Sequence, residues 1–164
     1  HVLIHSSRDL IVIRVSLGQE EPDMIIFCIY MSYSKKDGEE RRKANLDYIF
    51  SFLKDLNNNY PGCRVLMVGD FNFDFYRHLG GIFRTVKESK RHRKLLELLE
   101  PQEMHCKGIT RRRRKNIDTE DESEEQSRID WLFTKNLNCS IDPFNIAGRN
   151  SDHLAFGIKV FSKE

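Results

Sequence analysis

No apolar run in this 164-residue chain approaches the roughly 18 residues that would cross a membrane as a helix. There are four cysteines, Cys28, Cys63, Cys106 and Cys139, with no CxxC pair and no His at zinc-finger spacing. That excludes a zinc module and a disulfide scaffold, and the thiols read as reduced, mostly buried groups of an intracellular protein. Charge of one sign is also lacking. The net charge of +2 gives no argument for a nucleic-acid partner, so clustering must carry any such case. No internal repeat is present. The opening "HVLIHSSRDL" has no initiator Met and no signal-peptide layout. It already reads as strand, so the chain is expected to begin inside a domain whose edge lies upstream.

What is present suits one globular domain with a charged surface: 39% hydrophobic and 32% charged residues. "VLIHS" and "LIVIRVSL" are β-prone runs separated by "SRD", which predicts a hairpin. "MIIFCIYM" (24–31) is a continuous apolar run of strand length. In "GEERRKANLDYIFSFLKDLNNNYPG", Leu46, Ile49, Phe50, Leu53 and Leu56 recur at helical spacing. Glu39 and Glu40 fall in its first turn, and Pro61-Gly62 ends it. "RVLMVG" is a buried strand. "SKRHRKLLELLEP" predicts a second helix, capped by Ser89 and ended at Pro101. "SRIDWLFT" and "HLAFGIKVF" read as strands. "NCSIDPFNIA" reads as a strand interrupted by Pro143, hence an edge or a bulge. The order β-β-β-α-β-α-β-β-β predicts a layered α/β domain over residues 1–164.

One segment stands apart. "RRRRKNIDTEDESEEQ" (111–126) places five basic residues before six acidic ones with one apolar residue. It cannot bury a core and is expected to be a mobile insertion. Its basic half could grip phosphates, and its acidic half equally makes it a self-neutralising solvated loop.

Four polar positions fall beside strands. Asp70 and Asn72 end "VLMVGDFNFD". Tyr30 ends "MIIFCIYM". Arg128 and Asp130 open "SRIDWLF". Asp152 and His153 precede the last strand in "NSDHLAF". Sites in layered α/β proteins gather where strand ends meet loops. Carboxylates there can hold a hard cation such as Mg²⁺, and an Asp–His pair can supply a positioned acid or base. Each residue also has a plain structural reading. Asp70 and Asn72 suit Asx-turns, Asp130 could pair with Arg128, and Asp152 could end a loop.

Taken in order, "VLMVGDFNFD", "SRIDWLF" and "NSDHLAF" resemble the GDFN, ID and SDH motifs of the endonuclease/exonuclease/phosphatase superfamily. "FCIYMSYS" is similar to the family's tyrosine strand, and "KGIT" to the strand before the ID motif. The resemblance implies a four-layer α/β/β/α sandwich of the DNase I-like type and metal-dependent hydrolysis of phosphate esters, with Mg²⁺ (Mn²⁺ as an alternative). By motif, Asp70 would position or deprotonate the attacking water. Asn72 would hold the phosphate or order that water. His153 would stabilise charge on the phosphate, oriented by Asp130. Asp152 would serve the metal, and Tyr30 and Arg128 the substrate.

Three departures qualify the resemblance. The family's upstream Asn and metal-binding Glu have no match here, so the sandwich is expected to be N-terminally incomplete and to lack the principal metal ligand. Ser32 stands where the tyrosine strand usually carries Pro. Residues 111–126 lengthen a loop that commonly meets substrate. Among the functions the superfamily hosts, "GDFN", "RIDWLF" and "SDHLAF" look most like retroelement-type endonucleases. These nick DNA, fused to or acting with a reverse transcriptase. Basic clusters at 84–94 and 111–115 fit a polyanion. The alternatives are a phosphatase or deadenylase of the same superfamily, and a catalytically incomplete remnant or binding module.

Overall fold

A computed structural model describes residues 1–18, 22–32, 38–72, 105–111, 127–144 and 155–161. Strands β1 (Val2–Ser6), β2 (Leu10–Val15) and β3 (Met24–Tyr30) come first, followed by helix α1 (Gly38–Asn59) and β4 (Arg64–Asp70). Then come β5 (His105–Arg111), β6 (Ser127–Lys135), β7 (Asn138–Phe144) and β8 (Ala155–Phe161). Six strands form a mixed sheet in the order β1-β2-β3-β4-β6-β5, and β7 pairs with β8 in a second sheet.

The predicted hairpin is β1–β2, antiparallel, with a bulge between Leu3 and His5. Ser7 makes its turn: its Oγ accepts the Leu10 N–H at 3.1 Å. β3 and β4 are parallel, joined by α1 as the crossover. This is the connection that parallel strands require. α1 buries Leu46, Ile49, Leu53 and Leu56 as its spacing predicts, together with Arg42 and Asn45.

Strand alternation divides the core into two. On one face of the large sheet, Phe27, Ile29, Val65, Met67, Trp131 and Phe133 pack with the apolar stripe of α1. On the other face, Met24, Leu66 and Leu132 cluster with Leu137, and Ile141 of β7 and Ile158 of β8 pack against them. The described residues therefore make three layers: helix, six-stranded sheet, two-stranded sheet. A helix beyond β7–β8, the fourth layer expected, is not among them. The helix predicted over 89–101 lies outside the described residues.

Two local readings are refined. β5 is a full strand of which "KGIT" is only the middle. Arg111, taken as the first residue of the charged insertion, ends β5 opposite Ser127, and the rest of that insertion lies outside the described residues. Among the described residues β7 pairs only with β8. Pro143 thus sits in a strand with one neighbour among the described residues, an arrangement in which a missing N–H is tolerated. No helix among the described residues is long and apolar enough to cross a membrane.

Candidate active site

The C-terminal ends of β3 and β4 lie side by side because the two strands are parallel. Tyr30 is opposite Asp70 across that pair, and Asp70 is opposite Asp130 across the antiparallel β4–β6 pair. Three residues separated by up to 100 positions thus form one row across adjacent strands. Alternation puts them on the face of Leu66 and Leu132, toward the second sheet. Tyr30 is half exposed, Asp70 partly buried and Asp130 buried. An irregularity in the β5–β6 register falls between Asp130 and Arg128: their partners are the consecutive Ile109 and Thr110. Bulges next to such a position re-aim the local backbone.

The "GDFN" stretch has a physical reason at each letter. Gly69 has φ +148°, and a Cβ there would stand 1.9 Å from the Ile29 carbonyl oxygen. Only glycine lets β4 pass β3 at this point. Asp70 ends the strand. Phe71 is fully buried and meets Phe133 edge-on at 5.4 Å, which pins the exit of the chain. Asn72 takes the left-handed conformation, φ 49°, which Asn tolerates better than most residues. The bend folds its side chain back onto the strand ends.

Asn72 then holds Asp70 from two sides. Its backbone N–H donates to Asp70 Oδ1 at 2.7 Å, and its Nδ2 donates to Asp70 Oδ2 at 3.0 Å. The same Nδ2 donates to the Met31 carbonyl at 2.9 Å. The Met31 N–H donates to the Asp70 carbonyl at 2.7 Å. The plain reading of Asp70 as an Asx-turn residue is therefore true of one of its oxygens. That turn also fixes the carboxylate's direction.

Tyr30, Asp70, Asn72 and Asp130 are thus brought together. Arg128 lies on β6 two positions before Asp130, with only its backbone described. Asp152 and His153 lie outside the described residues. Three further residues at this end carry polar contacts that the sequence did not flag. Asp9 is buried in the β1–β2 turn, 3.6 Å from Arg41 of α1, and Arg41 Nη2 donates to Ser32 Oγ at 3.1 Å. "SRD" reads as an ordinary turn and "EERRK" as a solvated helix start, so neither carries a signal of this contact.

Asp70, Asp130 and the Asn72 amide offer oxygen atoms only, the donor kind a hard cation such as Mg²⁺ takes, with waters completing its shell. The donor chemistry fits such an ion in kind. Among the described residues, no group of three or more His, Cys, Asp and Glu side chains gathers as a metal cluster. A cavity of about 450 Å³, lined by Ile4, Ile25, Phe52, Leu56 and Tyr60 among others, lies at the opposite ends of β3 and β4. It includes none of the predicted site residues.

No protein-family model matches the chain, and no curated protein matches its sequence. Solved structures do match. Truncated Caenorhabditis elegans TDP2 superposes with a TM-score of 0.58 at 16% identity, over 99% of this chain and 66% of that one. An endonuclease/exonuclease/phosphatase family protein from Leptotrichia buccalis gives 0.54 at 20% identity, over 93% and 53%. An AP endonuclease from Archaeoglobus fulgidus gives 0.51 at 15% identity, over 95% and 65%. The chain shares its fold with these three structures. The chain spans roughly half to two-thirds of the length of these neighbours. At these identities the likeness concerns the fold; the site stands on its own geometry.

Proposed function

We propose that the chain carries the catalytic part of a metal-dependent phosphodiesterase that cuts nucleic acid, most specifically a DNA-nicking endonuclease of the retroelement type. The observation that carries this reading is the Asp70 carboxylate, fixed by Asn72 in the middle of a row between Tyr30 and Asp130. One of the fold neighbours is named as an AP endonuclease, which supports the nucleic-acid branch over phosphatases and deadenylases.

In this reading Asp70 accepts a proton from the attacking water, and Asn72 keeps its carboxylate aimed. The Tyr30 hydroxyl, at the open end of the row, contacts the substrate phosphate, with Arg128 as a second contact. Asp130 orients His153, whose charge stabilises the phosphoryl oxygens as the new bond forms. Mg²⁺, for which Asp152 is the proposed ligand, would polarise the phosphoryl group and neutralise the leaving oxygen. A retroelement enzyme of this kind works inside the cell, fused to or alongside a reverse transcriptase. Reduced cysteines suit that setting, and Cys28 and Cys63 are free thiols.

The test is a cleavage panel with supercoiled plasmid, abasic duplex, poly(A) RNA and inositol phosphates, with Mg²⁺ and with EDTA. Nicking of plasmid that requires Mg²⁺, and is lost in Asp70→Ala and His153→Ala, supports the assignment. Undiminished nicking in those variants overturns the residues. DNA binding without cleavage of any substrate would instead establish the non-catalytic remnant.

A further inference from the structure

Helix α1 grips Ser32, two residues past the end of β3, with two consecutive residues. Arg41 Nη2 donates to Ser32 Oγ at 3.1 Å, and Arg42 Nη1 donates to the Ser32 carbonyl. The close seat is built into the sequence, since a Cβ on Gly38 would meet Arg42 Nη1 at 2.5 Å and the Ser32 oxygen at 3.3 Å. The other terminal nitrogen of Arg41 lies 3.6 Å from Asp9 Oδ2. Asp9 is only 4% exposed, and that oxygen accepts no hydrogen bond among the described residues. A buried carboxylate held chiefly by charge is a costly way to make a turn. It does give the Arg41 guanidinium a fixed place. The Asp9 backbone carbonyl, in turn, accepts the Tyr30 N–H at 2.9 Å.

The residue before Ser32 meets the site. The Met31 carbonyl, one residue from Ser32, holds the Asn72 carboxamide at 2.9 Å, and Asn72 holds both oxygens of Asp70. A continuous path of polar contacts therefore runs Asp9–Arg41–Ser32, along one peptide to Met31, and on through Asn72 to Asp70. We infer that Asp9 and Arg41 are positioning residues: through Ser32 they set the Met31 carbonyl, and through it the aim of Asn72 and Asp70. Ser32, where the resembling family carries Pro, supplies the hydroxyl that makes this grip. The kinetic consequence rests on the phosphodiesterase reading; the structural one does not.

A direct contact between Arg41 and substrate phosphate is the competing role, and kinetics separates the two. Lost phosphate contact raises KM, whereas lost aim lowers kcat. In the full chain, Arg41→Lys keeps the charge and loses the fork. It is expected to lower plasmid-nicking kcat by about tenfold with KM changed less than about twofold. In an Asn72→Ala background the same substitution should cost nothing further, because its route is already cut. Losses that multiply, or a raised KM at unchanged kcat, overturn the inference. A second readout needs no substrate. Amide exchange at Met31 and Asn72 should quicken about tenfold in Arg41→Lys at unchanged global stability, and unchanged exchange overturns the inference by itself. Should the wild-type chain cut nothing on the panel, the phosphodiesterase reading falls and the exchange result alone decides the positioning role. Asp9→Asn should follow Arg41→Lys in both readouts, and if it unfolds the chain, Arg41→Lys carries the decision.

Discussion

Asp70 and Asp130 face each other in register across β4 and β6. Residues so paired stand about 5 Å apart, and like charges there disfavour the pairing by about 0.2–1 kcal/mol. Positive charge at this end of the sheet would relieve that repulsion. His153 and Mg²⁺ are the groups proposed to bring it. Mg²⁺ is expected to raise the melting temperature, by an amount that corresponds to about 2.7 kcal/mol at a hundredfold excess over its dissociation constant. Asp70→Asn and Asp130→Asn should each shrink that shift. Asp47→Asn, on the exposed face of α1, should leave it intact. Thermal melts with and without the ion, for all four chains, decide the matter; equal shifts throughout would place the cation elsewhere.

The second prediction separates the two jobs of Asn72. Its left-handed backbone, φ 49°, serves the turn, while its carboxamide serves Asp70 and Met31. Asn72→Gly keeps the first and removes the second. We expect it to cost stability mainly the lost buried hydrogen bonds, about 1–3 kcal/mol. Cleavage is expected to fall by about 10²-fold, because the carboxylate loses its aim. Asn72→Asp tolerates the same φ and sets a second negative charge against Asp70, so it should be the worse enzyme. Denaturant titration beside initial rates tests this, and an Asp variant as active as wild type would show that the carboxamide donor does not matter.

Two glycines in neighbouring elements should respond in opposite ways. A Cβ on Gly69 would lie 1.9 Å from the Ile29 oxygen and 2.8 Å from its carbonyl carbon, both rigid backbone, at φ +148°. Gly69→Ala must push β3 and β4 apart at the site, which places it among the changes that cost about 4 kcal/mol or more. Gly62, in the turn before β4, would meet nothing within 4 Å. Gly62→Ala should be neutral or stabilising by about 0.4–1 kcal/mol, through the unfolded chain. Urea melts of the two variants make the comparison directly.

How much of this could be read in the sequence depended on where each signal is stored. The runs 24–31 and 64–69 are apolar enough to declare buried strands, and Leu46, Ile49 and Leu53 declare the helix face because their spacing is local. "GDFN" is legible in part: the turn in which Asn72 holds Asp70 is local, whereas its Gly answers Ile29 and its Phe meets Phe133, both far away along the chain. "HCKGITR" was not legible as a complete strand, because it has little apolar alternation and is made a strand by pairing along β6. Asp9 was not legible either. Nothing in "SRD" distinguishes a solvated turn from one sealed by Arg41, which is 32 positions away and reaches it only once α1 has docked. The meeting of Tyr30, Asp70 and Asp130 was expected from motif order alone. Its physical cause is the register of two strand pairs, which no single stretch encodes.

At the far end of the sheet, Cys63 and Lys135 make a pH prediction with opposing signs. Burial pushes the Cys63 thiol above its ordinary value, with Asp23 adding to the rise and Lys135 and a backbone hydrogen bond at Arg64 opposing it. Burial pushes Lys135 below its ordinary value, while its Nζ donates to Asn57 Oδ1. For Cys63 the unfolded chain ionises first as pH rises. Its share of stability is present below the unfolded thiol value, near 8.5, and is lost as pH climbs toward the raised folded value. For Lys135 the folded chain releases its proton first. Stability is therefore gained as pH rises from the lowered folded value to the unfolded one, near 10.4. The two partly cancel in the wild-type chain. Cys63→Ala should remove the falling component and steepen the alkaline gain; Lys135→Met should remove the rising component and leave a net fall. Urea melts of the three chains at half-unit steps from pH 7.5 to 10.5 read the slopes. Parallel curves for all three would show that neither group changes its proton affinity on folding.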